Sequence, residues 1–212
     1  MSGRAGPPPA GATGRGRTSA TSGQRRRLLK LAAALLHYPA PSYQPVVAAV
    51  EEELKRGFRS APAELSAALR DLRTFCAQVR AIEPIEWECR YVQLFDFQKE
   101  QALWLTYHEV GDAIERGRAM VELKQRIRAA GFLCPDDELP DHIPLLLEFL
   151  AEKPADVPDG DLPGRLAPVL EKIAAATERR EPLYAPVLRA ARTALAVAAA
   201  NSNPASTDGV NT

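Results

Sequence analysis

Residues 87–151, WECRYVQLFDFQKEQALWLTYHEVGDAIERGRAMVELKQRIRAAGFLCPDDELPDHIPLLLEFLA, decide the predicted fold and contain the candidate site. A helix is predicted from Asp112 to Gly131, because Asp112 followed by Glu115 is a capping-box pattern that satisfies the first backbone N–H groups of a helix. Gly131 suits the left-handed residue that often follows the last helical turn. One loop precedes this helix and another follows it, and both are too polar to be explained by packing alone.

The rest of the chain repeats the helical spacing of apolar residues. Helices are predicted at residues 28–36, 42–58, 63–82 and 85–95, with Ile85, Val92 and Phe95 facing inward. Further helices are predicted after Asp141 and at residues 162–177 and 183–199, and only residues 103–107 have a pattern that allows an extended segment. The predicted fold class is therefore all-α, a single-domain helical bundle.

Both ends of the chain have the composition of disordered segments. Residues 1–23 and 201–212 are rich in Gly, Pro, Ser, Thr and Asn, and they contain few apolar side chains that could offset the entropy lost on ordering. We therefore expect a disordered N-terminal extension at residues 1–23, an all-α domain at residues 24–200 and a disordered tail at residues 201–212.

Charge is distributed unevenly along the chain. Residues 1–50 contain seven basic side chains and no acidic one, which leaves 20 basic against 27 acidic side chains in residues 51–212, a net charge of −7. An acidic body disfavours nucleic acid and favours a cationic partner, although such a surplus is also ordinary for cytoplasmic proteins.

Cys76, Cys89 and Cys134 suggest neither a disulfide framework nor a zinc knuckle, which fits a reducing compartment.

The run QRRRLLK at residues 24–30, followed by LAAALL, is similar to a twin-arginine export signal. An amphipathic first helix is the preferred interpretation, because the apolar run is short and His37-Tyr38-Pro39 ends it abruptly. No run approaches the roughly 18 to 20 apolar residues of a membrane span. We therefore expect a cytoplasmic protein with no stable membrane association.

Catalytic and metal-binding patterns are weak. His37, His108 and His142 are far apart in sequence and form no metal-ligand motif, so neither a metal nor a cofactor is predicted. Cys134 could be paired with His142, but the acidic residues that follow it would raise the pKa of its thiol. An enzyme that uses this acidic loop and His142 stays open as an alternative.

A peptide-binding groove is the more specific hypothesis for the polar loops. Residues 103–107 and 108–112 combine aromatic and aliphatic bodies with polar tips beside a helix start, and Arg116 lies one turn inside that helix. Such side chains are typical of grooves that accept an apolar or amphipathic helix. The alternative is that these aromatic residues only fill the core.

Several blocks of this sequence resemble the NarJ/NarW-type assembly chaperones of respiratory nitrate reductase, which are TorD-like redox-enzyme maturation proteins. The most specific blocks are Glu-Leu-Pro-Asp-His-Ile-Pro at residues 138–144 and Gly-Asp-x-x-x-Arg-Gly at residues 111–117. The others, taken in order, are Leu-Leu-His-Tyr-Pro (35–39), Tyr-Val-Gln-Leu-Phe-Asp (91–96), Leu-x-Leu-Thr-Tyr-His (103–108), Ala-Ala-Gly-Phe (129–132) and Leu-Glu-Phe (147–149).

The resemblance implies a non-enzymatic cytoplasmic chaperone with an all-α fold. It would bind the apo form of the nitrate reductase α subunit, including its N-terminal leader-like segment, and keep it competent for molybdenum cofactor insertion. Contact with the proteins that deliver the cofactor is a further implication. The residues expected to line or brace the peptide site are Leu105, Tyr107, His108, Asp112 and Arg116, and a second candidate surface comprises Glu138, Pro140, Asp141, His142 and Pro144.

Two positions depart from the family pattern. Ile114 stands where a second arginine is common, and Trp104 stands where a smaller or polar residue is common. The client peptide that this chain prefers is therefore left open, and a chaperone of the same fold for another molybdoenzyme remains an alternative.

Overall fold

The structure of the protein is a computed structural model, and it describes residues 12–40, 43–58, 61–110, 113–135 and 138–202. These residues form nine α-helices and three short 3₁₀ segments, which confirms the predicted all-α class. The helices are α1 (Ala12–Leu36), α2 (Tyr43–Arg56), α3 (Ser66–Val79), α4 (Pro84–Phe95), α5 (Leu105–Glu109), α6 (Ala113–Ala129), α7 (Ile143–Glu152), α8 (Leu162–Arg180) and α9 (Ala185–Ser202). Within the described ranges the only β pairing is an isolated antiparallel bridge between Trp104 and His142.

The first helix is longer than the sequence predicts. It begins at Ala12, inside the segment assigned from its composition to a disordered extension, whereas residues 1–11 and 203–212 lie outside the described residues. The apolar second half of α1 is packed in the core, and each further residue that joins an existing helix adds one backbone hydrogen bond. No proline interrupts residues 10–38, so nothing in the sequence stops the helix from extending towards its N-terminus.

Helix α7 is a short apolar helix that packs against α1. Its residues Leu145, Leu146, Leu147, Phe149 and Leu150 are all buried, whereas Glu148 is half-buried and Glu152 is exposed. Helix α1 packs against α7 and α9, and α9 also packs against α8 and α3. Among the described helices, none is both long and apolar enough to span a membrane.

The three-arginine run of α1 is used for packing, which confirms the helical interpretation of this segment. Arg26 donates hydrogen bonds from Nε to the carbonyl of Ala151, at 2.6 Å, and from Nη2 to the carbonyl of Lys153. These carbonyls belong to the C-terminal end of α7, where helical backbone acceptors have no partner within the helix. Arg25 is buried and pairs with Asp159 at 2.7 Å, so α1 holds the end of α7 in place.

Helix α4 is rotated relative to the prediction. Trp87, Tyr91 and Phe95 form its buried face, whereas Ile85, predicted to face inward, is 69% exposed. Residues 87, 91, 94 and 95 share one side of a helix, so Ile85 lies on the opposite side once Trp87 occupies the core. The indole Nε1–H of Trp87 donates to the hydroxyl of Tyr184 at 2.6 Å, and this buried bond fixes the rotation.

We predict that Tyr184→Phe lowers the free energy of unfolding by about 1–3 kcal/mol, because the buried Trp87 Nε1–H then has no acceptor. Equilibrium urea denaturation followed by circular dichroism measures this. The matched control is Tyr38→Phe, whose hydroxyl donates to Glu88 at the exposed surface and which we expect to change stability by less than about 0.5 kcal/mol. Equal effects of the two substitutions would contradict the assignment.

Candidate functional site

The two predicted surfaces lie side by side, because backbone hydrogen bonds join them. The amide of Leu105 donates to the carbonyl of Asp141 at 2.9 Å, and the amide of Ile143 donates to the carbonyl of Leu103 at the same distance. Between these bonds the rings of Trp104 and His142 lie 4.7 Å apart, centroid to centroid. The loop before α5 and the loop before α7 are therefore held side by side, and we refer to them together as the bridged segment (residues 103–108 and 138–144).

The buried carboxylate of Asp141 stabilises the bridged segment. Asp141 is fully buried, and its Oδ2 accepts a hydrogen bond from the hydroxyl of Thr106. Arg116, on α6, donates from Nε to Thr106 Oγ1 at 2.9 Å and places Nη2 3.4 Å from the same carboxylate oxygen. Breaking a buried pair of this kind costs about 3–5 kcal/mol, so the contact ties α6 firmly to the bridged segment.

Tyr107 is the exposed part of this arrangement. Its ring is 43% exposed, and the guanidinium carbon of Arg116 lies 4.1 Å from the ring centroid, a cation–π distance. Since Arg116 is already fixed by Thr106 and Asp141, the tyrosine ring is held in a defined orientation at the surface. A partner chain could pack on its outer face with little loss of side-chain entropy.

His108 is half-buried beside Tyr107. Its Nε2 lies 2.8 Å from the carbonyl of Ala102, and burial lowers the pKa of the imidazole below its usual value. The ring is therefore neutral at pH 7, with Nε2 as the donor to Ala102 and Nδ1 left as an acceptor. His108 thus offers a hydrogen-bond acceptor rather than a positive charge.

The residues predicted for the site differ in exposure. Tyr107 is exposed, whereas Leu105 has no exposed surface and belongs to the core, so it supports the site and cannot line it. Among the others, His108, Arg116, Glu138 and His142 are half-buried; Pro140, Asp141 and Pro144 are buried; and Asp112 lies outside the described residues. Of the predicted residues, the exposed ones are free to contact a partner and the buried ones can only support them, and peptide binding by these segments stays a prediction.

A histidine cluster next to the bridged segment was missed by the sequence analysis. The rings of His37 and His142 lie 5.9 Å apart, edge to face, and Glu138 is hydrogen-bonded to His142 Nδ1. Potential metal-ligand atoms of His37, Glu138 and His142 all lie within 4.8 Å of one another. His37 is more than 100 residues away in sequence, so only the four-residue spacing of Glu138 and His142 could have suggested the cluster.

Carboxylates set the protonation of this cluster. Glu148 lies 3.2 Å from His37 Nε2, and this hydrogen bond raises the pKa of His37. The hydrogen bond from His142 lowers the pKa of Glu138, which stays ionised well below neutral pH. The cluster therefore holds two negative side chains around two imidazoles.

An apolar groove lies along the outer face of α4. Its lining includes Tyr38, Ile85, Cys89, Val92 and Phe97, and its volume is about 320 Å³. Ile85 and Phe97 are 69% and 73% exposed, which is unusual for side chains of this size when they lie together. Residues 83–100 contain five carboxylates and two cationic side chains, and Glu88 belongs to the groove lining, so the segment that carries the groove is acidic and we refer to these carboxylates as its acidic rim.

Comparison with known proteins identifies the family to which the chain is similar. Residues 59–186, more than half of the chain, match the protein family described as nitrate reductase delta subunit. The chain is similar to the nitrate reductase molybdenum cofactor assembly chaperone NarJ of Escherichia coli K12, 36% identical over 117 residues, which cover 55% of the chain and 46% of the relative.

Two further relatives agree with this placement. The probable assembly chaperone NarJ of Bacillus subtilis 168 is 35% identical over 105 residues, which cover 50% of the chain and 56% of the relative. The probable assembly chaperone NarW of Escherichia coli K12 is 32% identical over 103 residues, which cover 48% and 44%. The chain thus spans about half the length of these relatives, and the resemblance inferred from its sequence blocks is confirmed.

We predict opposite results for two buried threonines. Thr106→Val should lower the free energy of unfolding by about 1–3 kcal/mol, because Asp141 loses its hydroxyl donor and Arg116 loses an acceptor. Thr177 is equally buried, but its hydroxyl has no partner among the described residues, so Thr177→Val should be neutral or stabilise by up to about 1 kcal/mol. Urea denaturation of both variants tests the network, and a Thr106→Val protein as stable as wild type would disprove it.

Proposed function

Because the chain belongs to the nitrate reductase delta subunit family, we propose that it is an assembly chaperone for a respiratory nitrate reductase and not an enzyme. Its client is the apo form of the catalytic α subunit, which it holds competent for molybdenum cofactor insertion in the cytoplasm. The names of the relatives support this role, since they are described as molybdenum cofactor assembly chaperones of nitrate reductase.

The observation that carries the proposal is the series of contacts that leads along the surface from the bridged segment to the α4 groove. The bridged segment includes His142, whose ring meets that of His37, and His37 is followed directly by Tyr38, which lines the α4 groove. A client chain lying on this surface would contact the Tyr107 ring at one end and the apolar groove at the other. The rigid elements beneath it, α4 and α7, require little reorganisation on binding.

The groove fits an amphipathic helix with a basic end, the chemistry expected of an N-terminal leader-like segment. Between Ile85 and Val92 the groove follows α4 for about 10 Å, which corresponds to about two turns of a client helix. The apolar face of such a helix would cover Ile85, Val92 and Phe97, and its basic residues would meet the acidic rim. Apolar contact supplies the affinity, whereas charge sets the orientation and the rate of encounter.

Holding and release follow from mass action. A client segment that is exposed in the apo subunit occupies the groove, and the same segment leaves once folding around the cofactor withdraws it from solution. No covalent step is required.

We predict that Ile85→Ala weakens binding of a synthetic leader peptide of the α subunit by about tenfold, because three carbon atoms of buried contact are lost. Isothermal titration calorimetry measures the affinity. Alanine raises helix propensity, so the fold of α4 is kept. The matched control is Val121→Ala, another exposed aliphatic residue on a helix, 57% exposed on α6 and outside the groove, which should bind as wild type does.

If the Ile85→Ala and Val121→Ala variants bind the peptide equally well, the α4 groove is not the binding surface. If the wild-type protein gives no heat of binding with the leader peptide, the proposed client is wrong. A leader peptide of a different molybdoenzyme belongs in the same experiment. If it bound more tightly than the nitrate reductase peptide, the chain would be a chaperone of the same fold for that other enzyme.

We predict that Tyr107→Ala weakens the same peptide several-fold, because the ring held on Arg116 is part of the contact surface. Tyr107→Phe is the matched control, since it keeps the ring and its cation–π contact, and it should bind like wild type. Fluorescence anisotropy of a labelled peptide measures both. If the Tyr107→Ala variant binds the peptide as tightly as wild type does, the bridged segment does not contact the peptide and only supports the fold.

A further inference from the structure

The histidine cluster joins three parts of the chain. His37 follows the last residue of α1, Glu138 lies in the loop before α7, and His142 immediately precedes α7. One potential ligand atom from each residue lies within 4.8 Å of the others. We propose that His37, Glu138 and His142 form a binding site for a divalent transition-metal ion, with Zn²⁺ as the best fit.

The donor set selects the class of ion. Two imidazoles and one carboxylate are ligands typical of Zn²⁺ sites that keep a fourth position for water or another ligand, whereas Mg²⁺ and Ca²⁺ prefer oxygen atoms throughout. Ligand atoms about 2.0–2.2 Å from one ion at tetrahedral angles are separated by about 3.3–3.6 Å. The hydrogen bond between Glu138 and His142 Nδ1 would be replaced by bonds to the ion, and binding requires small movements of these half-buried side chains.

Neighbouring residues orient the ligands as in known metal sites. Glu148 accepts a hydrogen bond from His37 Nε2 at 3.2 Å, the carboxylate–imidazole contact that commonly holds a metal-binding histidine in place. The Trp104 ring packs against His142 at 4.7 Å and restricts its rotation. With both imidazoles neutral, Glu138 and Glu148 give the cluster a charge of −2, which a divalent cation neutralises.

The ion would have a structural effect that is independent of the client. It would connect the end of α1 to the start of α7 and to the loop that carries Glu138. Since Tyr38 follows His37 and Trp104 packs on His142, the α4 groove and the bridged segment would become fixed relative to each other. Metal binding that is specific to the folded state also stabilises that state, by an amount that grows with the logarithm of the metal concentration once this exceeds the dissociation constant.

The test uses the full-length chain without an affinity tag, treated with a chelator and then titrated with ZnCl₂ in a calorimeter. We expect one ion per chain, a raised melting temperature, and a Co²⁺-loaded form whose visible absorption indicates nitrogen and oxygen ligation. His37→Gln with His142→Gln should abolish this binding, and Glu148→Gln should weaken it by about 10–100-fold. His108→Gln is the matched control, a histidine outside the cluster, and should bind as wild type does.

Two results would overturn the proposal. One is wild-type affinity for Zn²⁺ no greater than that of the double histidine variant, a comparison valid once circular dichroism shows that the variant is folded. The other is a thiolate absorption band in the Co²⁺ form, which would assign the ion to Cys89 or Cys134 instead. The Co²⁺ spectrum of wild type decides between the ligand sets even if the double variant does not fold.

Discussion

The pairing of residues 103–105 with residues 141–143 is the contact on which the site depends. Two backbone hydrogen bonds, each 2.9 Å long, are a small pairing, and an isolated one would not persist in water. It persists here because Asp141 is buried directly beneath it and is held by Thr106 and Arg116. The position of the exposed Tyr107 ring follows from that buried charge, since Arg116 both pairs with Asp141 and supports the ring.

Helix α7 connects the bridged segment to the rest of the fold. Its N-terminal end carries His142 and the bridge, and its C-terminal carbonyls accept hydrogen bonds from Arg26 of α1. Because most residues of the helix are buried, neither end can shift without disturbing close-packed neighbours. Sites that bind another chain gain affinity from such rigidity, since less conformational entropy is lost on association.

Patterns of neighbouring residues predicted the positions of helices, which depend on local structure. The exposure of side chains and the contacts between distant segments depend on long-range packing. The periodicity of residues 66–79 and 162–177 and the glycine at the end of α6, Gly131 with φ 75°, agree with the structure. The sequence blocks also singled out two segments that the structure places side by side. The exposure of Ile85, the burial of Leu105 and the approach of His37 to His142 depend on which helix packs where, and no periodicity encodes that information.

The charge asymmetry of the sequence needs the structure for its interpretation. A body with a net charge of −7 is predicted to attract a basic client. The basic run at residues 24–30, however, is itself part of the folded body. Arg25 pairs with Asp159, and Lys30 pairs with Glu152, so these acidic side chains of the second half are already neutralised. Because screening confines electrostatic effects to about 8–10 Å at physiological salt, a client of the proposed kind would respond to the local acidic rim of the α4 groove and not to the net charge of the chain.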